Sequence, residues 1–278
     1  MHAPASLEEA ASLLREHAGH VRLGNGCTYL MLMAAHGEVL PGHLVSLHRI
    51  PGLHECAPGR IGASVTLREL ERGPMVGPER AIAMAAGVTA GPSIRSLGTL
   101  GGNLGFPDGD LIPSLLALDA TVHLDDGAEL SVDDWLEAKP TDRIITGVTY
   151  DRDAASGWTA ASMKFSQRGM DWPVVTVSTA LRLAEDGEIL EARTAAQALA
   201  PTASRLPGVD AVLIGSHGQD EALDYAADAA VHRMEIRDDL EASAAYRKRV
   251  APAIVRRVLA LALRAGTDGA VTPREARA

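Results

Sequence analysis

With 278 residues, 46% hydrophobic and 22% charged, the chain has ordinary globular composition, enough for one large or two moderate domains. A formal net charge of −10 with no Lys/Arg cluster argues against general nucleic-acid binding, which rests on neutralised phosphates. Cys27 and Cys56 are the only cysteines, which excludes a disulfide framework and leaves too few thiolates for an iron–sulfur cluster.

Ser6 to Glu9 reads as a capping box opening a helix, with Leu7, Ala10, Leu13 and Leu14 on one face and Gly19 as its stop. The segment before it lacks the basic-then-apolar pattern of a signal peptide, and no later run approaches the roughly 18 apolar residues of a membrane span. A cytoplasmic protein is therefore expected. Residues 21–23 form a short strand running into Gly24-Asn25-Gly26-Cys27-Thr28, and residues 29–36 are helical. Residues 44–50 read as a strand, 59–70 as strand, turn and helix start, and 78–86 as helix.

Next comes "IRSLGTLGGNLGFPDGD", residues 94–110, with five glycines. A short helix over 111–119 follows, then a hairpin at Asp126–Gly127 and a helix over 132–138. From Trp158 the pattern changes to long strands joined at Asp186–Gly187, then helical stretches over 220–234 and 243–266. Pro252 should kink or split the last of these. The chain divides near residue 150 into a mixed α/β half and a sheet-plus-helix half.

Two segments share one logic. Gly24 to Thr28 lies between strand and helix, and Thr99-Leu100-Gly101-Gly102-Asn103 forms a second turn. Residues able to take φ > 0 let successive amides converge on an anion such as a phosphate. Thr28, Thr99 and Asn103 add side-chain donors, and Asp110 is placed to accept from a ribityl or ribose hydroxyl. Both segments read equally as ordinary tight turns. A Rossmann fingerprint fails because Tyr29 stands at the third glycine and the strand over 44–50 ends without an acidic residue. No Walker loop, GxSxG elbow or HExxH helix is present, and His48, His54 and Cys56 match no zinc spacing. A ligand cradle without a nucleophile or acid–base pair suits a protein whose cofactor carries the chemistry.

Residues 94–120 resemble the signature of the FAD-binding medium subunit of the molybdenum hydroxylases, the family of xanthine dehydrogenases and aerobic carbon monoxide dehydrogenases. Its members typically read R-N-x-G-T-x-G-G-N-L and, further on, L-L-A-L-D-A. "LGNGCTYL" resembles the family's A-G-G-x-S/D-L, and "MKFSQRGMD" its K-F-x-x-R-x-x-D strand. The opening helix, "IGASVTLREL" and the C-terminal helical region follow in the same order along the chain.

The resemblance implies an α+β fold: a two-lobed FAD-binding domain of the vanillyl-alcohol-oxidase (PCMH) type over residues 1–150, then a sheet-plus-helices domain over 158–278. It implies that Gly24, Asn25, Gly26, Cys27 and Thr28 form the first pyrophosphate turn, and Thr99, Leu100, Gly101, Gly102 and Asn103 the second. Asp110 would lie beside the ribityl chain and Lys164 near the flavin ring. The implied partners are a molybdenum-cofactor large subunit and a 2Fe–2S small subunit, whose clusters pass electrons through FAD to an external acceptor. Asn25 replaces a family glycine, and Cys27 stands where a flavin is tethered covalently in related folds. The loop between Asn103 and Asp110 is about two residues short, and the short strand before Pro4 is missing. Phe106, Trp158, Phe165 and Trp172 are candidates to stack on the ring. These departures motivate two alternatives: a stand-alone FAD-dependent oxidoreductase, or a flavin-free scaffold.

Overall fold

The computed structural model describes residues 1–73, 77–151 and 157–268; the last ten residues of the expected 158–278 unit, and most of the segment joining the two units, lie outside that range. Ser6 caps α1 (Leu7–Glu16) by accepting from the Glu9 amide. The Glu9 carboxylate takes the Ala5 amide rather than that of Ser6, so the expected capping box is half formed. Ala10, Ala11 and Leu14 of α1 pack with Val21 and Val45 of a two-stranded parallel sheet, β1 (Val21–Gly24) and β2 (His43–Ser46). The strand expected over 44–50 stops at Ser46, and Pro51–His54 turns as a 3-10 helix. The family's missing first strand survives as one bridge, His2 to Val45.

A second lobe is an antiparallel sheet of five strands. Its order is β3 (Cys56–Ala57), β4 (Arg60–Gly62), β7 (Ile145–Thr149), β5 (Thr121–Leu124) and β6 (Glu129–Ser131). The β5–β6 hairpin turns at Asp126–Gly127, with Gly127 at φ +84°. The same stretch of chain carries α2 (Thr28–Ala35), α3 (Leu67–Glu71), α4 (Glu79–Val88), α5 (Pro92–Arg95), α6 (Leu100–Leu104), α7 (Ile112–Ala117) and α8 (Val132–Ala138), of which α6 and α8 pack on this sheet. The expected second turn is thus the first turn of α6.

The C-terminal sheet runs β11 (Ser204–Arg205), β10 (Ile189–Gln197), β9 (Val175–Leu183), β8 (Trp158–Phe165), all antiparallel. Strand alternation divides it. Met163, Val175, Val177 and Leu181 join the core formed with α9 (Pro207–Leu213), α10 (Asp220–Ala229) and α11 (Ala244–Asp268). Ser162, Lys164, Thr176 and Ser178 carry the hydrogen bonds that reach Ser114 of α7 and the residues just before it. Both faces are buried, so β9 shows no hydrophobic-to-polar exposure pattern; its polar side chains are satisfied instead by Ser162 of β8, Thr194 of β10, and Asp110 and Ser114. Of the two effects expected of Pro252, a split is not seen: α11 runs through it as one helix. Ala251, Ile254, Val255, Val258 and Leu259 are buried along one stripe, and that packing outweighs the one lost backbone hydrogen bond.

Candidate functional site

The glycine-rich stretch is held rigidly from behind. Arg95, 3% exposed, gives its guanidinium to both carboxylate oxygens of Glu71 (3.1 and 3.2 Å) and to the Ala90 carbonyl (2.8 Å). The segment after it pairs strand-like with residues 63–67: Leu67 donates to Gly98, Leu100 to Val65 and Gly101 to Ala63. Thr99 caps α6 through the Gly102 amide, and the Trp135 indole donates to the Leu104 carbonyl at its far end. A side chain at Gly101 would place its Cβ 2.9 Å from that of Ala63, which is why the position holds glycine.

The two segments named from sequence meet. A Cβ on Gly26 would lie 1.7 Å from the Leu97 carbonyl oxygen and 3.0 Å from the Gly98 nitrogen, so the first turn rests directly on the second segment's backbone. Asn25 donates to the Ser64 hydroxyl and fixes the turn from the other side.

The conformational reason expected for these glycines does not hold. Gly24, Gly26, Gly98, Gly101 and Gly102 all avoid positive φ, as does Asn25; the left-handed residue of the turn is Cys27, at φ +53°. At Gly26 and Gly101 close approach of the neighbouring chain, rather than left-handed geometry, selects glycine.

The amides also divide unequally. Those of Leu100, Gly101, Gly102 and Asn103 already donate within the protein, so the second segment is no open nest. Those of Asn25, Gly26 and Cys27 donate to no protein acceptor among the described residues, which leaves the first turn as the anion-binding candidate. Gly102 is exposed, and a Cβ there would meet only Thr99 Oγ1 at 3.3 Å. The fold has little need of glycine at 102, whereas a ligand laid across it does. Burial pushes the Cys27 thiol above its ordinary value, and it points to the Asn25 carbonyl; a protonated thiol is a poor nucleophile for a covalent tether.

Asp110 and Lys164 come together as a buried ion pair, Nζ to Oδ2 at 2.9 Å, with Thr176 donating to Oδ1 at 3.1 Å. Burial pushes the Asp110 carboxyl up, and the Lys164 ammonium acts against that. Both carboxylate oxygens are therefore engaged within the protein. Asp108, two residues earlier, takes Gln197 and Arg237, so two carboxylates fasten this loop to the C-terminal unit.

Immediately beyond the first turn opens a cavity of about 360 Å³, walled by α2 (Tyr29, Leu32), the loop after α6 (Phe106, Asp108) and the C-terminal unit (Trp172, Arg237). None of the residues named for the two turns lines it, nor do Asp110 and Lys164, whereas the aromatic candidates Phe106 and Trp172 do; the cavity starts one residue after Thr28, at Tyr29. Phe106 sits between Tyr29 and Trp172, with ring centroids 4.3 and 5.2 Å apart. The other two aromatic candidates are used elsewhere: Trp158 lies under Arg193, and Phe165 packs near Tyr246. Sequence reasoning passed over Asp108 and Tyr29, which stand inside or beside the motifs, and Arg237, which carries no local signal.

Residues 1–149 match the family model for the FAD binding domain in molybdopterin dehydrogenase, and residues 160–262 the carbon monoxide dehydrogenase flavoprotein C-terminal domain. The chain belongs to the molybdopterin dehydrogenase FAD-subunit family. Its cofactor is accordingly FAD, and it is the medium, flavin-carrying subunit type of these oxidoreductases. It is 28% identical to the nicotine 6-hydroxylase medium subunit of Paenarthrobacter nicotinovorans, over 92% of this chain and 94% of that one. It is 29% identical to the carbon monoxide dehydrogenase medium chain of Hydrogenophaga pseudoflava, over 93% and 94% respectively.

A solved carbon monoxide dehydrogenase from Hydrogenophaga pseudoflava superimposes with a TM-score of 0.84 at 28% identity, covering 94% of this chain and 96% of that one. Quinoline 2-oxidoreductase from Pseudomonas putida 86 shares the fold, with a TM-score of 0.84 at 24% identity. The α+β, two-lobed FAD-binding architecture with its C-terminal domain is thus the family's own. Among the described residues, no helix is long and apolar enough to cross a membrane.

Proposed function

We propose that this chain is the electron-transfer flavoprotein of a cytoplasmic molybdenum hydroxylase complex, standing between a 2Fe–2S subunit and an external acceptor. The observation that carries the reading is the first turn: the amides of Asn25, Gly26 and Cys27 meet no protein acceptor among the described residues, and the turn rests on the Leu97–Gly98 backbone that leads into an exposed Gly102 the fold does not require. That surface suits a pyrophosphate, with Thr28 next in the chain; the Asn103 side chain, whose Oδ1 accepts from the Leu111 amide, keeps its NH2 to donate. Bound FAD supplies the exchange of electrons; the residues of the chain bind and orient it.

Leu97 and Gly98 back the first turn, Leu100 and Gly101 anchor that segment to Val65 and Ala63 while Thr99 caps α6, and Asp110 with Lys164 sets the loop that carries Phe106 and Asp108. The rings of Tyr29, Phe106 and Trp172 then offer an apolar wall for an isoalloxazine, with Arg237 as the nearby cation. We assign this work jointly to the units over 1–150 and 158–278, since the cavity draws residues from both.

Assembly is supported by α2. Its sequence, TYLMLMAA, is apolar from Leu30 onward, yet none of its residues is buried. Met31 is 61% exposed, and Val39 and Leu40 beyond the helix are also bare. A contiguous apolar surface of this kind marks a protein interface, here for the iron–sulfur and molybdenum partners.

Purification of the native assembly tests the proposal. Iron and molybdenum present in fixed ratio to FAD, with flavin reduction by the complex's substrate, is the expected result. Turnover by the flavoprotein with neither metal present would favour the stand-alone oxidoreductase instead.

A further inference from the structure

We infer that His2, His17 and His43 form a binding site for a divalent transition-metal ion of the zinc class. One ring nitrogen from each lies within 4.8 Å of the other two, and no other trio of histidine, cysteine or carboxylate groups converges in this way among the described residues. His2 Nε2 and His43 Nδ1 are 3.0 Å apart, close to the spacing of about 3.3 Å that two nitrogens take on a tetrahedral ion with bonds of about 2.0–2.1 Å. The His17 ring lies against that of His43, centroids 3.6 Å apart and planes 15° from parallel. Coordination requires the His17 ring to turn about its own axis so that its edge, rather than its face, meets the ion.

The backbone holds all three in register. His2 donates to the Leu44 carbonyl and accepts from Ser46, which locks it beside β2. The His43 amide donates to His20, and the His20 amide to His17, which closes the turn after α1 over the start of β2. Separations of 41 residues between His2 and His43 and 26 between His17 and His43 explain why no spacing rule found the cluster. All three rings are half-buried, so water can supply the remaining coordination. Three neutral imidazoles without a thiolate suit zinc, cobalt(II), nickel(II) or copper(II) rather than magnesium or calcium. The Glu16 carboxylate, 3.9 Å from His17 Nε2, is the nearby negative charge.

The location gives the ion a structural consequence. Val21 pairs with His43 at one end of the β1–β2 ladder, and Gly24 pairs with Ser46 at the other, where the first turn begins. A bound ion therefore staples the first residues, α1 and β2 together at the base of the lobe that presents that turn.

The experiment uses full-length protein without a polyhistidine tag, stripped with chelator and titrated with Zn²⁺ against a chromophoric chelator. One Zn²⁺ per chain should bind and raise the unfolding temperature. Loss of an outer-shell partner alone costs roughly 10–100-fold in affinity, so His2→Gln and His17→Gln should each weaken binding by at least that range and abolish the thermal shift. Co²⁺ bound to the unsubstituted protein should give d–d bands without thiolate-to-metal charge transfer, a readout independent of how the variants fold. Absence of saturable one-to-one binding, unchanged affinity in both variants, or a thiolate charge-transfer band would overturn the site.

Discussion

Replacing Gly26 by alanine puts the junction of the two segments under direct load. The added Cβ falls 1.7 Å from the Leu97 carbonyl oxygen and 2.4 Å from its carbon, both main-chain atoms with no flexible end to swing away. To reach ordinary contact at 3.4 Å the first turn and the Leu97–Gly98 backbone must separate by about 1.7 Å, the difference between those two distances. Overpacking that forces backbone shifts costs roughly 1–3 kcal/mol. If the turn must return to its original position to hold the pyrophosphate, that cost reappears in binding, and about 1–3 kcal/mol corresponds to some 5–150-fold in dissociation constant. The assay is titration of apoprotein with FAD, followed by quenching of flavin fluorescence, alongside urea unfolding of the same preparation. A Gly26→Ala protein with unchanged FAD affinity and content would refute the claim that this junction shapes the flavin site.

Gly102→Ala is the complementary variant: its Cβ meets only Thr99 Oγ1, so stability should stay within about 0.5 kcal/mol while FAD affinity falls. Equal loss of both in urea and FAD titrations would reassign Gly102 to the fold. Lys164→Met strips a buried carboxylate of its cation and should destabilise by roughly 3–5 kcal/mol, with part recovered in the Asp110→Asn/Lys164→Met double variant; a cost below about 1 kcal/mol in urea would contradict the pairing. Asp210, in the first turn of α9, is raised by burial to about 6, with Thr194 and the charges of Arg205 and Arg193 opposing the shift. Its proton is held more tightly in the folded state, so stability should fall as pH rises from about 4 to 6, by about 3 kcal/mol for a shift of this size. Asp210→Asn should flatten that part of the stability curve, and parallel curves for the two proteins would count against the assignment. Met31→Glu on α2 should leave FAD content intact and reduce recovery of partner subunits on native purification; full recovery would exclude that face from the interface.

The sequence carried much of this fold because its local signals were unambiguous. Asp126–Gly127 and Asp186–Gly187 each turn a hairpin, with both glycines at positive φ, and the apolar spacing of residues 244–266 specifies a long helix strongly enough to absorb Pro252. The glycine-rich stretch was legible as a place of close approach, but its reason was not. Whether a glycine is required by φ or by a neighbour depends on what lies across from it, and Leu97 opposite Gly26 is a tertiary fact. Asp110 illustrates the same limit: its motif position is local, whereas its partners Lys164 and Thr176 arrive from the C-terminal sheet. Arg237 reaches the cavity from a segment with no motif of its own, and the three-histidine cluster needs the β1–β2 register before it exists at all.

The most direct test of the central claim is the absorption spectrum of the purified chain, followed by denaturation and chromatographic identification of any released chromophore. The account predicts flavin bands and FAD released at about one per chain, either as isolated or after incubation with added FAD. A colourless protein that takes up no FAD while remaining folded would contradict it, and would leave the unengaged amides of the first turn as a relic of the family's fold.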